Sequence, residues 1–145
     1  MQIKNLTALE TGRKIRKREI SVTEAVKASL EQIEKLDPAV GSFVTVDEER
    51  ALKRAEQVQK QMDRGELTGP LAGVPIGVKD NICTKGMKTT CSSKILYNFE
   101  PPYSAEAVVN LEKAGMVIAG KTNMDEFAMG STTETSAFKI TRNPW

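Results

Sequence analysis

Residues 73–81 read Gly-Val-Pro-Ile-Gly-Val-Lys-Asp-Asn, and this stretch decides how the chain on either side of it folds. Val74, Ile76 and Val78 recur at every second position, which predicts a β-strand running to Lys79 and Asp80. Residues 67–77 are rich in glycine and proline, so the backbone there is expected to turn sharply and to approach other atoms closely. The strand therefore delivers a lysine to its carboxyl end, where α/β proteins usually build sites.

The sequence after this strand predicts a helix and then a second strand. Ser104 can cap a helix that continues to residue 114, and residues 116–119 form a short apolar strand. A strand, a helix and a strand in that order indicate a right-handed parallel crossover, hence an α/β sheet and not a helical bundle. A last short helix is expected over residues 124–129.

Three helices are predicted before residue 67. They cover about residues 7–17, 21–36 and 47–64; the first is weakened by Gly12, and Asp37-Pro38 is expected to end the second. Residues 43–46 form a short strand or an extended connection. We therefore divide the chain into an N-terminal helical segment, residues 1–66, and a core segment, residues 67–145.

Composition excludes several classes of function. The 145 residues carry 21 Lys and Arg against 19 Asp and Glu, and a net charge of +2 does not by itself indicate nucleic-acid binding. A basic cluster at residues 13–18 could meet tRNA, but a solvated helix end explains it more simply. There is no histidine, and two cysteines alone do not make a zinc pattern or predict a disulfide. With no spanning-length apolar run and no signal-like N-terminus, we expect a cytoplasmic protein without a membrane partner.

Lys79 is open to more than one interpretation. Alone, it is most simply a strand-end lysine whose amine reaches solvent. A phosphate cradle in the neighbouring glycines is a weak alternative, because neither usual glycine motif is present. In a stretch without histidine, however, lysine is the remaining side chain able to relay a proton from a serine.

Read whole, the core segment resembles the amidase-signature family. The matching residues are 73–81, Gly86, the Thr-Thr-Cys-Ser-Ser of 89–93, and the block Ala-Gly-Lys-Thr-Asn-Met-Asp-Glu-Phe-Ala-Met-Gly-Ser of 119–131. Within the family, the wording is most similar to the glutaminase (A) subunits of glutamyl-tRNA(Gln) amidotransferases, which also carry an Asn-Pro-Trp like that of residues 143–145. The resemblance implies helices packed on a mixed, largely parallel sheet.

The resemblance also assigns residues. Lys79 matches the base of the family's Ser-cisSer-Lys triad, and Met129, Gly130 and Ser131 by their place line the substrate cavity, although packing or loop capping is the simpler role for each alone. Both triad serines lie in a Gly/Ser-rich stretch beyond an Asn-Pro-Trp, so no serine here matches the nucleophile: Ser92, Ser93, Ser131 or Ser136. We therefore expect residues 1–145 alone to be truncated before the nucleophile region and inactive.

The implied activity is release of ammonia from glutamine, with ammonia passing to a B subunit that uses ATP and Mg²⁺ to convert Glu-tRNA(Gln) to Gln-tRNA(Gln). A small C subunit is a further expected partner, tRNA is met only through the complex, and this chain itself is expected to hold no cofactor or metal. Two alternatives stay open: a stand-alone hydrolase of small amides, or a non-catalytic fragment that only binds partners. In the complete enzyme Lys79 should be shielded from solvent, and the Asp80 side chain should turn away from it to bond backbone in the following turn.

Overall fold

A computed structural model describes residues 3–145 of the chain and contains four α-helices and three β-strands. In chain order these are α1 (Ala8–Arg16), α2 (Val22–Val40), β1 (Phe43–Val46), α3 (Glu48–Asp63), β2 (Pro75–Lys79), α4 (Glu106–Lys113) and β3 (Val117–Thr122). Short 3-10 turns cover Ile3–Asn5, Lys94–Leu96 and Glu126–Ala128. None of the described helices is long and apolar enough to cross a membrane.

Both predicted capping boxes are present. The Glu10 N–H donates to the Thr7 hydroxyl over 3.3 Å, and the Glu10 carboxylate accepts the Thr7 N–H over 2.8 Å. Ser21 and Glu24 repeat the arrangement at 3.1 and 2.7 Å. Each box meets backbone donors that a helix start otherwise leaves unpaired, so α1 and α2 begin where the sequence predicts.

The predicted end of α2 is wrong by a few residues. The helix continues through Asp37 and Pro38 to Val40 and is followed by Gly41 at a φ of 72°. A proline so near the end costs little, because only one backbone donor is missing, while the Gly41 N–H still bonds the Asp37 carbonyl over 2.7 Å. The Asp37 carboxylate then accepts the Ser42 N–H over 2.6 Å and directs the chain into β1.

The three strands form one mixed sheet in the order β1-β3-β2, which confirms the expected α/β class. β1 runs antiparallel to β3, with Phe43 opposite Thr122 and Val46 opposite Gly120. Backbone bonds from Val117 to Val74 and from Asp80 to Thr122 advance together along β2 and β3, as in a parallel pair. α4 connects these two strands, so the predicted crossover is present, and β3 extends to Thr122 where the sequence predicted an end at residue 119.

The described chain forms two compact units of different character. The first comprises residues 3–32, 47–76 and 110–119, and its core is aliphatic. The second comprises residues 33–46, 77–109 and 120–145. Apart from Thr11, every buried polar or charged side chain of the described residues lies in this second unit: Asp37, Asp80, Thr84, Thr89, Thr90, Ser92, Ser93, Lys121 and Asp125. Buried polar groups need partners, so the second unit is where the chain holds its hydrogen-bond networks.

The helix predicted over residues 124–129 is wrong. Only the 3-10 turn Glu126–Ala128 forms there, with Phe127 and Ala128 at φ values of 51° and 62°. These left-handed residues cannot continue an α-helix. The Asp125 carboxylate, in a position that could have supported a first helical turn, accepts backbone donors from residues 132–135 instead.

Candidate active site

Lys79 is the last residue of β2, in the second unit, as the sequence predicts. The preceding Val78 is buried, whereas Lys79 is exposed. Its carbonyl accepts the Ile82 N–H over 3.0 Å, which closes a turn directly after the strand. Its amine makes no hydrogen bond or ion pair within residues 3–145. Because the expected shielding of Lys79 concerns a complete enzyme, it stays a prediction.

Asp80 is fully buried beside this exposed amine. Its carboxylate accepts the Thr90 N–H at 3.2 Å and the Ser92 N–H at 3.1 Å, and it also bonds the Thr90 hydroxyl. As expected, the carboxylate bonds backbone instead of holding Lys79, although its partners lie ten or more residues away and not in the turn that follows. Four acceptor bonds leave the Asp80 carboxylate occupied, and no ion pair between Lys79 and Asp80 occurs in the described structure.

The Thr-Thr-Cys-Ser-Ser segment, residues 89–93, is joined to the block of residues 119–131 through strained backbone. Cys91 and Ser92 have φ values of 53° and 50°, and the Cys91 carbonyl accepts the N–H of Phe127, itself left-handed, over 3.0 Å. The Ser92 hydroxyl also accepts the Met124 N–H over 3.2 Å. Non-glycine residues keep such backbone angles only where their surroundings enforce them, and strain of this kind gathers at functional sites.

The other nucleophilic groups of this region are engaged or weakened. Burial raises the pKa of the Cys91 thiol, and the nearby Asp80 carboxylate raises it further. A thiol that resists ionisation is a poor nucleophile. The hydroxyls of Ser92 and Ser136 both donate to the Asn123 amide oxygen, at 3.1 and 2.7 Å.

Ser93 is likewise bonded to the Glu126 carboxylate, and Ser131 is exposed. None of these serines hydrogen-bonds Lys79. The region therefore presents a lysine at a strand end without a nucleophile paired to it.

The three residues that the resemblance places at the substrate cavity lie together on an exposed loop. Met129 is 78% exposed, and Gly130 and Ser131 are exposed beside it. Asp125 shapes this loop, since a Cβ on Gly130 would come within 2.5 Å of the Asp125 carboxylate carbon. Only glycine fits that close approach, so the loop has a defined backbone. A role of these residues in binding substrate stays a prediction.

The sequence reasoning missed Lys121. This lysine lies in β3, between the other two strands, and its side chain is fully buried. Its ammonium donates to the Ile82 carbonyl at 2.6 Å, to the Thr89 hydroxyl at 3.0 Å and to the Thr84 hydroxyl at 3.3 Å. The signal that could have found it is the position of β3: a strand with a neighbour on each side and both faces covered buries even its polar residues.

The described residues contain no cluster of three or more His, Cys, Asp or Glu side chains that could hold a metal ion. The chemistry on view is therefore that of two lysines and the carboxylates and hydroxyls that surround the loop after β2.

Comparison with known proteins shows the family. The Amidase family model matches residues 24–145. The A subunit of the glutamyl-tRNA(Gln) amidotransferase of Agathobacter rectalis is 63% identical over the whole chain, which spans 29% of that relative's length. The crystal structure of the Thermotoga maritima protein of the same name is 38% identical, with a TM-score of 0.75 over all of this chain and 28% of that one.

A peptide amidase from Stenotrophomonas maltophilia is 31% identical, with a TM-score of 0.81 over 90% of this chain and 27% of that one. The chain thus spans about 30% of the length of the curated relatives it matches. Since the family model covers most of its residues, the chain belongs to the amidase family.

Proposed function

We propose that this chain is part of the glutaminase subunit of a glutamyl-tRNA(Gln) amidotransferase, and that Lys79 is the base of its catalytic triad. The relatives with the highest identities quoted above carry that name. The observation that carries the assignment of Lys79 is the neighbouring carboxylate. Asp80 is bound to the Thr90 and Ser92 backbone and, within the described residues, leaves the Lys79 amine without an ion pair. A base must be able to lose its proton, and a paired carboxylate would oppose that loss.

In the proposed reaction, Lys79 takes a proton from a cis-serine as the cis-serine takes one from the nucleophilic serine. The nucleophile attacks the side-chain carbonyl of glutamine, the C–N bond breaks, and ammonia leaves with a proton returned through the same relay. Water then hydrolyses the acyl-enzyme to glutamate by the reverse path. Both serines belong to the Gly/Ser-rich stretch that the family resemblance places beyond an Asn-Pro-Trp.

The loop that carries Met129, Gly130 and Ser131 is proposed to line the glutamine cavity. The B subunit would use ATP and Mg²⁺ to activate Glu-tRNA(Gln) and accept the ammonia, and a C subunit would complete a cytoplasmic complex. The A subunit itself would meet tRNA only through its partners.

The test substitutes Lys79→Ala in a reconstituted amidotransferase whose A subunit contains residues 1–145. Glutamine-dependent formation of Gln-tRNA(Gln) should fall by about three powers of ten or more, because the acyl-enzyme no longer forms. Amidation with added ammonium chloride should persist, because free ammonia needs no acyl-enzyme.

Lys88→Ala is the matched control, since Lys88 is exposed in the segment that follows the same strand. It should leave both activities unchanged. If Lys79→Ala removed the glutamine and the ammonia reactions together in an assembled complex, Lys79 would be structural and the proposal would be wrong.

A stand-alone amide hydrolase is the second candidate, favoured by the similarity to the Stenotrophomonas maltophilia peptide amidase. The two are separated by assaying the A subunit without its partners. A peptide-amide hydrolase should turn over C-terminally amidated peptides by itself, whereas an amidotransferase subunit should act on glutamine and support tRNA amidation only in the complex.

A further inference from the structure

The buried ammonium of Lys121 is directed at the segment that begins directly after Lys79. Its three acceptors, the Ile82 carbonyl and the hydroxyls of Thr84 and Thr89, all lie within eight residues of one another on that segment. Thr84 and Thr89 are themselves buried, at 0% and 2% exposure. Burial of a charged amine is unfavourable unless its hydrogens are bonded, so this site is built around the charge and is not an incidental packing position.

The Ile82 peptide unit connects the two lysines. Its carbonyl accepts from Lys121 over 2.6 Å, while its N–H donates to the Lys79 carbonyl over 3.0 Å. The position of the Lys79 main chain is thus fixed on one side by β3, through the bond from the Asp80 N–H to the Thr122 carbonyl, and on the other by Lys121 through Ile82.

The far end of the same segment is fixed as well. Lys121 bonds Thr89, and Asp80 bonds the adjacent Thr90. Two buried charges therefore close the loop of residues 80–92, one from β3 and one from the end of β2. Removal of Lys121 would leave a buried carbonyl and two hydroxyls without this donor and would release the turn that Lys79 closes.

We propose that Lys121 is a positioning residue for the triad base: it sets the backbone from which the Lys79 amine projects, and so controls the rate of proton transfer without touching glutamine. This inference rests on the proposed function of Lys79. Displacement of a catalytic group by about 1 Å can cost about a hundredfold in rate, whereas substrate affinity depends on other residues.

The test measures glutamine hydrolysis by the reconstituted amidotransferase carrying Lys121→Met, which keeps an unbranched chain of similar size and removes the charge. We expect kcat to fall about 10- to 100-fold, with KM within about threefold of the unsubstituted enzyme. Labelling of the nucleophilic serine by a fluorophosphonate should slow in parallel, and ammonia-dependent amidation should persist. Lys88→Met, an exposed lysine of the same loop, is the matched control and should change none of these.

A second variant, Thr89→Val, keeps Lys121 and removes one of its acceptors with little change of shape. It should lower kcat in the same direction by a smaller factor, and it decides the question if Lys121→Met does not fold. An unchanged kcat in folded Lys121→Met, an unchanged kcat in Thr89→Val, or a loss confined to KM would each overturn the positioning role. Full glutamine activity in Lys79→Ala would overturn the proposed function instead, so the two failures are distinguishable.

Discussion

At the scale of single residues, Asp125 shows how one carboxylate organises a loop. It accepts the N–H groups of Thr132 at 2.9 Å, Thr133 at 2.8 Å and Thr135 at 3.2 Å, and also the Thr135 hydroxyl at 2.8 Å. The bond from the Thr133 N–H lowers the pKa of Asp125 most, burial opposes that shift, and Thr135 and Thr132 add to it. The folded loop therefore prefers the ionised carboxylate.

This preference makes the stability of the loop dependent on pH. Because the folded pKa of Asp125 lies below its ordinary value of 3.8, its contribution is present in full above that value and is lost as pH falls through the lower, folded pKa. Asp125→Asn should therefore destabilise the protein at pH 7, and the difference in urea midpoint from the unsubstituted protein should shrink below about pH 3.8. Glu134→Gln, an exposed carboxylate of the same loop, should change the midpoint little at pH 7. A difference that grew on acidification would contradict the assignment.

Lys79 and Lys121 show what the sequence can and cannot reveal at this scale. Lys79 was predictable because an alternating strand ends on it and the Lys-Asp-Asn wording is specific. The partners of Lys121 stand 32 to 39 positions earlier in the chain, and no local period announces a bond over that separation. The same reason hid the partners of Asp80: carboxylates that bond backbone are expected to act locally, and this one bonds residues 90 and 92.

At the scale of elements, α1 is fitted against the chain that precedes β2. A Cβ on Gly12 would overlap the Pro70 carbonyl oxygen, far inside contact distance. The glycine that weakens this helix as an isolated sequence is thus required by its packing, which is why propensity alone misjudged its meaning.

Two opposing effects decide the outcome of Gly12→Ala. Alanine favours a helix by about 1 kcal/mol over glycine, but relief of a clash with backbone needs a movement that costs about 1–3 kcal/mol and more when the atom cannot yield. We therefore expect the free energy of unfolding to fall by about 1–2 kcal/mol. Gly69→Ala is the control, because no atom lies within 4 Å of the place that its methyl group would take, and it should change stability by less than about 0.5 kcal/mol. Stabilisation by Gly12→Ala, measured by urea unfolding, would show that α1 does not approach Pro70 this closely.

Element types were predictable wherever local chemistry and packing agree. The capping boxes of α1 and α2, the alternation of β2 and the crossover through α4 all follow from neighbouring residues. The place of β1 beside β3 could not be predicted, because a four-residue strand carries no information about its partner. The 3-10 turn Glu126–Ala128 failed as a helix prediction because bonds from Asp125 and Cys91 to distant residues override helical propensity there.

At the scale of the whole molecule, catalysis requires groups beyond those that residues 1–145 supply in the proposed function. A polypeptide of residues 1–145 alone should show no glutaminase activity above background, because Lys79 has no serine nucleophile bonded to it in the described structure and the triad serines are assigned elsewhere. The measurement is glutamate release by the purified polypeptide, with the reconstituted amidotransferase as positive control. Turnover that disappeared on Lys79→Ala would contradict this expectation and direct attention to Ser92, Ser93, Ser131 and Ser136.

The interleaving of the two compact units has a consequence for biosynthesis. The first unit is assembled from residues 3–32, 47–76 and 110–119, with segments of the second between them. A ribosome therefore completes neither unit early: α1, α2 and α3 emerge long before residues 110–119, which supply the remaining part of their own unit. Until then the nascent chain exposes apolar faces such as that of Val22, Val26 and Val58, which are fully buried in the finished structure. Such a chain depends on chaperones during translation more than one whose units follow each other in sequence.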